Sequence, residues 1–268
     1  GREVLSNIIS TQIEIHKKFG GVVPEVASRN HILNISTVLD EALKAANVSL
    51  DQIDAVAVTY GAGLVGALLV GVNFAKTLAY ALKVPLIAVS HVHGHIGANY
   101  LSHKSLQPPF LCLMVSGGHT ALVNVKDYCK FEIVGSTVDD SAGECFDKVA
   151  RVLGLSYPGG PNIDKLAKQG QNNVKFNYKP PLKDTFNFSF SGLKTAVVNF
   201  VHNKEQKNEE FSKADVACSF QELVTDELCT KTIRACKKLG QQKLVVAGGV
   251  GANSRLREKL DMFCKKEN

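Results

Sequence analysis

The chain has 268 residues, 45% of them hydrophobic and 21% charged, with a formal net charge of +6 at pH 7. That is the balance of a globular protein with room for one large domain or two ordinary ones, and it excludes a disordered or low-complexity chain. The basic excess falls mostly after residue 165, in 165–183, 204–213 and 234–266, which fits either an anionic partner such as RNA or a solvated lysine-rich surface. The seven cysteines are widely spaced and never form Cys-x-x-Cys, so they read as reduced thiols, most of them core residues. No targeting segment and no run of about 20 apolar residues is recognisable, so the expected location is the cytoplasm, without a membrane.

In chain order, residues 4–11 read as a strand and 19–25 as a Gly- and Pro-bearing loop. Residues 25–46 have helical periodicity through Val26, Ile32, Ile35, Val38, Leu39 and Leu43. A strand at 54–59 runs into the glycine turn Tyr60-Gly-Ala-Gly-Leu-Val-Gly, and a small-residue helix over 67–82 follows. A buried strand at 85–89 then delivers His91, His93 and His95 to the start of a helix. On that helix His91 and His95 are four apart and share one face, where both imidazoles can bind one cation, while His93 points elsewhere. The alternative is a set of core or capping histidines. No Glu follows His91, so the pattern is not the protease helix His-Glu-x-x-His. The Pro-bearing connection 104–109 suggests two domains, 1–107 and 108–268.

The second half opens with the apolar run 110–115, the turn Ser116-Gly-Gly-His-Thr120 and a strand over 121–125. Glycines directly after a buried strand free backbone amides for a phosphate, so this is either a β-turn-β phosphate clamp or a plain hairpin corner. The acidic stretch Thr137-Val-Asp-Asp-Ser-Ala-Gly-Glu-Cys-Phe-Asp-Lys148 follows, with Asp140 and Ser141 as expected N-caps and Asp140, Glu144 and Asp147 on one helix face. Three carboxylates on one face require cations or hydroxyls to meet them. Tyr157-Pro-Gly-Gly-Pro161 reads as a rigid turn, Asn187-Phe-Ser-Phe-Ser-Gly192 as a strand or extended loop, and 216–239 as an amphipathic helix. The chain closes with a strand at 243–247, the turn Gly248-Gly-Val-Gly-Ala-Asn253 and a helix from Ser254. Strands alternating with helices and glycine turns indicate an α/β layer architecture.

Together, Gly-Gly-Val-Val-Pro-Glu at 20–25, Gly61-Ala-Gly-Leu-Val-Gly-Ala-Leu-Leu-Val-Gly71, His91 with His95, Val115-Ser-Gly-Gly-His-Thr120, Gly143-Glu-Cys-Phe-Asp-Lys148, Tyr157-Pro-Gly-Gly-Pro161, Phe188-Ser-Phe-Ser-Gly-Leu-Lys194 and Gly248-Gly-Val-Gly-Ala-Asn253 resemble one family. It is the tRNA N6-adenosine threonylcarbamoyltransferase family of the bacterial TsaD type, formerly called the O-sialoglycoprotein endopeptidase family. The resemblance runs through the chain in unbroken order. It implies the two-lobed actin, Hsp70 and sugar-kinase (ASKHA) fold with a nucleotide cleft between the lobes. It implies an acyltransferase that moves the threonylcarbamoyl group from threonylcarbamoyl-AMP to N6 of adenosine-37 in tRNAs reading codons that begin with A, releasing AMP. The alternative of another class is a nucleotide-binding actin-fold scaffold acting through protein partners.

By the same resemblance, His91 and His95 hold one divalent metal per subunit, Fe(2+) or Zn(2+). Val115, Ser116, Gly117, Gly118, His119, Asp147, Gly160, Asp164 and Asn253 would contact the threonylcarbamoyl-adenylate. The implied partners are tRNA and proteins like TsaB and TsaE. The motifs assign no general base. Ala62 stands where the family usually has Pro and His93 where it often has a polar residue such as Glu, and neither removes a ligand. The family pattern also carries a first strand with a Ser-Cys-Asp-Glu-Thr loop before the position of Gly1. Beyond Asn268 it carries an Asp-Asn-Gly segment whose Asp completes the metal site. The chain is therefore expected to be the interior of a longer protein, and to be unstable and inactive alone.

Overall fold

In a computed structural model, which describes residues 2–267, the chain divides into two compact units, Gly1–Leu106 and Gln107–Asn268. The first unit is a parallel strand pair with helices. After a short helix α1 (Ile13–Lys17) comes α2 (Pro24–Ala46), which opens with Pro in its first turn, where the missing N–H costs nothing. It ends at Asn47 in the left-handed conformation, whose N–H meets the Leu43 and Lys44 carbonyls. Strand β1 (Val56–Gly61), helix α3 (Val65–Leu82) and strand β2 (Leu86–Ser90) form a β-α-β unit, with Val56 opposite Leu86 and Thr59 opposite Val89. The apolar face of α3 packs on β1 and α2. Among the described residues α3 alone is long and apolar enough to cross a membrane, counted by length and composition. Helix α4 (His91–Ser102) starts on the residue after β2, so the histidines occupy its first turn and a half.

Residues 4–11 are not a strand. An apolar run becomes a strand only when a ladder partner satisfies its backbone, and among the described residues β1 and β2 pair with each other alone in this unit.

The second unit is built on a four-stranded sheet in the order β5-β4-β3-β6. Strands β3 (Phe110–Val115), β4 (Thr120–Asp127) and β5 (Lys130–Ser136) form an antiparallel meander, and β6 (Leu244–Ala247) joins β3 in parallel. Between β5 and β6 come α5 (Ala142–Val152), α6 (Gly159–Ala167), α7 (Ser191–Gln206) and α8 (Lys213–Leu239), and α9 (Ser254–Glu267) closes the chain. α5 packs on α6 and α7, and α8 packs on α6 and α9. All six residues of β3 are buried, and Leu111 and Leu113 join Phe146, Phe188, Phe190 and Phe220 in one continuous core.

Four features of this unit differ from the pattern read along the sequence. The stretch 157–161, read as a turn, gives its last three residues to α6, which begins at Gly159. β5 is a strand the alternation does not show, because its Glu132 and Ile133 are both exposed on the sheet edge. The segment 187–192 is split: Phe188 bridges to Thr137, and Ser191 already begins α7. Asp140 lies outside α5 and does not cap it; the Ser141 hydroxyl does, accepting from Glu144 N at 3.1 Å.

Asp140 instead receives Lys194 at 2.6 Å and Lys148 at 3.1 Å, while Lys148 also reaches Glu144 at 2.8 Å. Asp139 accepts from the Ser189 and Ser191 hydroxyls, both at 2.6 Å, and from Phe190 N at 2.8 Å. Cations and hydroxyls therefore meet Asp139 and Asp140, and apart from Lys148 they come from the Phe188-to-Lys194 motif some 50 residues downstream. Burial works against ionisation of both carboxyls, yet the hydroxyls and N–H groups around Asp139 and the lysines around Asp140 outweigh it and hold them below the usual carboxylate range.

Candidate functional site

Within the second unit the glycine turns surround a cavity of about 430 Å3. One wall is the β3–β4 turn at Gly117 and the first turn of α5 at Gly143, a second is α5 at Phe146 and Asp147, a third is the start of α6 from Pro158 through Gly160 to Asp164, and a fourth is the turn from Gly249 to Asn253. Two close approaches make this possible. Gly248 has φ 95°, and a Cβ there would lie 2.3 Å from the Val115 carbonyl oxygen. A Cβ on Gly143 would lie 2.5 Å from the Ser116 carbonyl oxygen. Only glycine brings these turns together.

The polar groups of the cavity are held by partners. Asp147 Oδ1 accepts from Gly159 N at 2.7 Å, so the carboxylate covers the N-terminus of α6. Burial pushes the Asp147 carboxyl up, the Gly159 and Gly160 N–H groups partly offset this, and the Glu144 charge adds to the rise. Asp164 Oδ1 accepts from the Ser254 hydroxyl at 2.8 Å. Asn253 is buried; its Oδ1 accepts from Leu256 N at 2.9 Å, capping α9, and its Nδ2 donates to Gln221 Oε1 at 2.7 Å. The β3–β4 turn is ordered by Ser116, whose N–H donates to the His119 carbonyl at 2.8 Å and whose Oγ accepts from His119 N at 3.0 Å. The Ser141 hydroxyl donates to the Gly117 carbonyl at 2.7 Å.

Of the nine residues expected at the adenylate, Gly117, Asp147, Gly160, Asp164 and Asn253 line this cavity. Val115 sends its side chain into the core, and Ser116 and His119 shape the turn that carries Gly117 and Gly118. Tyr157, Pro158 and Val250 also line the cavity, and the sequence singled them out only as members of turns. Gln221 and Ser254 carry no motif signal, since each acts through a partner distant in sequence. Burial pushes the Cys112 thiol up to about 12 and raises Cys145 as well, so neither is an activated nucleophile.

In the first unit the rings of His91 and His95 lie 4.4 Å apart and their Nε2 atoms 3.1 Å apart, while His93 is exposed. Two imidazoles binding one ion at about 2.1 Å each place their nitrogens roughly 3.0–3.4 Å apart, so this pair fits a shared cation. Among the described residues no group of three or more His, Cys, Asp or Glu is placed to hold a metal.

A sequence profile of the family described as "TsaD: tRNA N6-adenosine threonylcarbamoyltransferase" matches residues 3–268. The chain belongs to this family. A Clostridium perfringens protein named tRNA N6-adenosine threonylcarbamoyltransferase is 61% identical over 261 residues, 97% of this chain and 77% of that protein. A Clostridium botulinum protein of the same name is 59% identical over 268 residues, 100% of this chain and 79% of that protein. Full-length HypF in its phosphate- and nucleotide-bound form aligns over 86% of this chain and 37% of HypF, with TM-score 0.61 and 15% identity. That likeness shows the fold, the α/β class of actin, Hsp70 and the sugar kinases, and the family membership agrees with it.

Proposed function

We propose that this chain is an acyltransferase that moves the threonylcarbamoyl group of threonylcarbamoyl-AMP to N6 of adenosine-37 in tRNAs reading codons that begin with A. The observation that carries the reading is the family match over residues 3–268. The convergence of Gly117, Asp147, Gly160, Asp164 and Asn253 on one cavity supports the placement of the adenylate there. The turn amides approach the phosphate, and Asp164 accepts from ribose hydroxyls. Asp147 holds the start of α6 against the ligand through Gly159. The N6 amine attacks the carbamoyl carbonyl, the bond from that carbon to the phosphate oxygen breaks, AMP departs with the electron pair, and the amine proton passes to solvent. Fixing the mixed anhydride against the turns supplies orientation, and a loop base is splayed out without melting a duplex.

His91 and His95 would hold one divalent metal, iron or zinc, which when bound supplies Lewis-acid polarisation of an oxygen. The enzyme works in the cytoplasm on tRNA, with proteins like TsaB and TsaE as partners.

Incubation with threonylcarbamoyl-AMP and unmodified tRNA, with those partners added, is expected to release AMP only when tRNA is present. Nucleotide binding without transfer would instead indicate a scaffold. Asp147→Ala should weaken adenylate binding by about 1.5–3 kcal/mol in calorimetry, and unchanged affinity would remove Asp147 from the site. Replacing His91 or His95 with Ala should abolish stoichiometric metal while His93→Ala retains it. Equal loss from all three variants would contradict a shared ion on one helix face.

A further inference from the structure

Asp164 stands in the cavity wall on α6, its side chain 15% exposed. Two groups compete for its carboxylate. The Ser254 hydroxyl donates to Oδ1 at 2.8 Å, across 90 positions of sequence. The Lys168 ammonium, four residues on at the C-cap of α6 and 61% exposed, lies 3.5 Å from Oδ2. The first partner is fixed: Ser254 is the first residue of α9, directly after Asn253, whose two side-chain contacts to Leu256 N and Gln221 pin the start of that helix. The second is a solvated side chain with many rotamers and little net attraction. An ionised carboxylate has about four lone-pair directions, so these two contacts leave acceptor capacity for a ligand.

We propose that Ser254 is a positioning residue: its hydroxyl holds the Asp164 carboxylate in the orientation from which it accepts both hydroxyls of a ribose cis-diol. This rests on the reading of the cavity as the adenylate site. Without the hydroxyl, Lys168 is the nearest remaining partner of Asp164, and the carboxylate turns along α6 towards it. The hydroxyl therefore favours ribonucleotides over nucleotides lacking the diol, although it touches neither.

The test is calorimetric binding of AMP and of 2′,3′-dideoxy-AMP to the wild-type protein, Ser254→Ala and Ser254→Thr, together with steady-state transfer to tRNA. The wild type should prefer AMP over the dideoxy nucleotide. Ser254→Ala should lose AMP affinity about five- to ten-fold, the size of one hydrogen bond, with dideoxy-AMP affinity held within about two-fold. Its KM for threonylcarbamoyl-AMP should rise by the same factor with kcat nearly unchanged, and Ser254→Thr should restore both. A Ser254→Ala protein that keeps the wild-type preference, or that loses both nucleotides alike, overturns the proposal. A wild-type protein that does not distinguish the two nucleotides overturns the adenylate reading of the cavity, and the role of Ser254 with it.

Discussion

Strands β2 and β3 are nearly interchangeable as strings, Leu-Ile-Ala-Val-Ser against Phe-Leu-Cys-Leu-Met-Val, yet their surroundings are opposite. β3 lies between β4 and β6, with helices packed on its unit's core, and Leu111 and Leu113 are wholly buried. β2 pairs only with β1 among the described residues, and Leu86 and Ile87 are 41% and 49% exposed. The first unit also exposes Ile32, Leu33, Val65, Leu69 and Tyr80 on its helices, whereas the second leaves few large apolar side chains in water. Hydrophobic sequence supplies the tendency to be covered, and the number of neighbours decides how much of the transfer free energy is realised.

This contrast breaks most directly by truncation. Leu113→Ala should destabilise the second unit by about 3–5 kcal/mol, because its rigid surroundings cannot close the cavity. Ile87→Ala should cost less than about 1.5 kcal/mol, since half of the removed surface is already in water. Urea unfolding of both variants measures the gap, and equal losses would show that β2 is covered in solution.

A smaller effect is expected at Gly248, where φ 95° and the Val115 carbonyl leave no room for a methyl group. Gly248→Ala should cost about 3 kcal/mol and reduce nucleotide binding at the cavity, with the first unit unaffected. Amide exchange, read unit by unit, would separate the two.

Next comes Asp139, which ties the 137–141 segment to the start of α7 through Ser189, Phe190 and Ser191. Asp139→Asn should cost about 1–2 kcal/mol at pH 7. Because its folded-state pKa lies below the unfolded value, this stability is complete above the ordinary carboxylate range near pH 4 and is lost as pH falls through the lowered value. The difference between wild type and variant should therefore shrink in denaturation at pH 2–3. A difference that persists unchanged there would assign the effect to shape rather than charge. The smallest effect belongs to the first unit: Arg29 and Glu25 are each 74% exposed, and Arg29→Ala should shift stability by less than about 0.5 kcal/mol.

Local features were legible in the sequence by themselves. The helix from Pro24, the strands β3 and β6, and the helical spacing of His91 and His95 follow from periodicity, turn residues and the 3.6-residue repeat, all of which act between near neighbours. The glycines at 117, 118 and 248 were legible as turns, and the order of the motifs along the chain identified the family. Tertiary structure alone decided which turns meet. The sequence does not show that Ser189 and Ser191 answer Asp139, that Lys194 answers Asp140, or that Ser254 and Gln221 stand behind Asp164 and Asn253, because each pair is joined across 32 to 90 positions. It also misjudged residues 4–11 and missed β5, since a strand exists only with a partner, and an edge strand shows both of these faces to water. The physical reason is the same throughout: propensity is written in adjacent residues, while burial and hydrogen-bond satisfaction depend on groups that only the folded chain brings together.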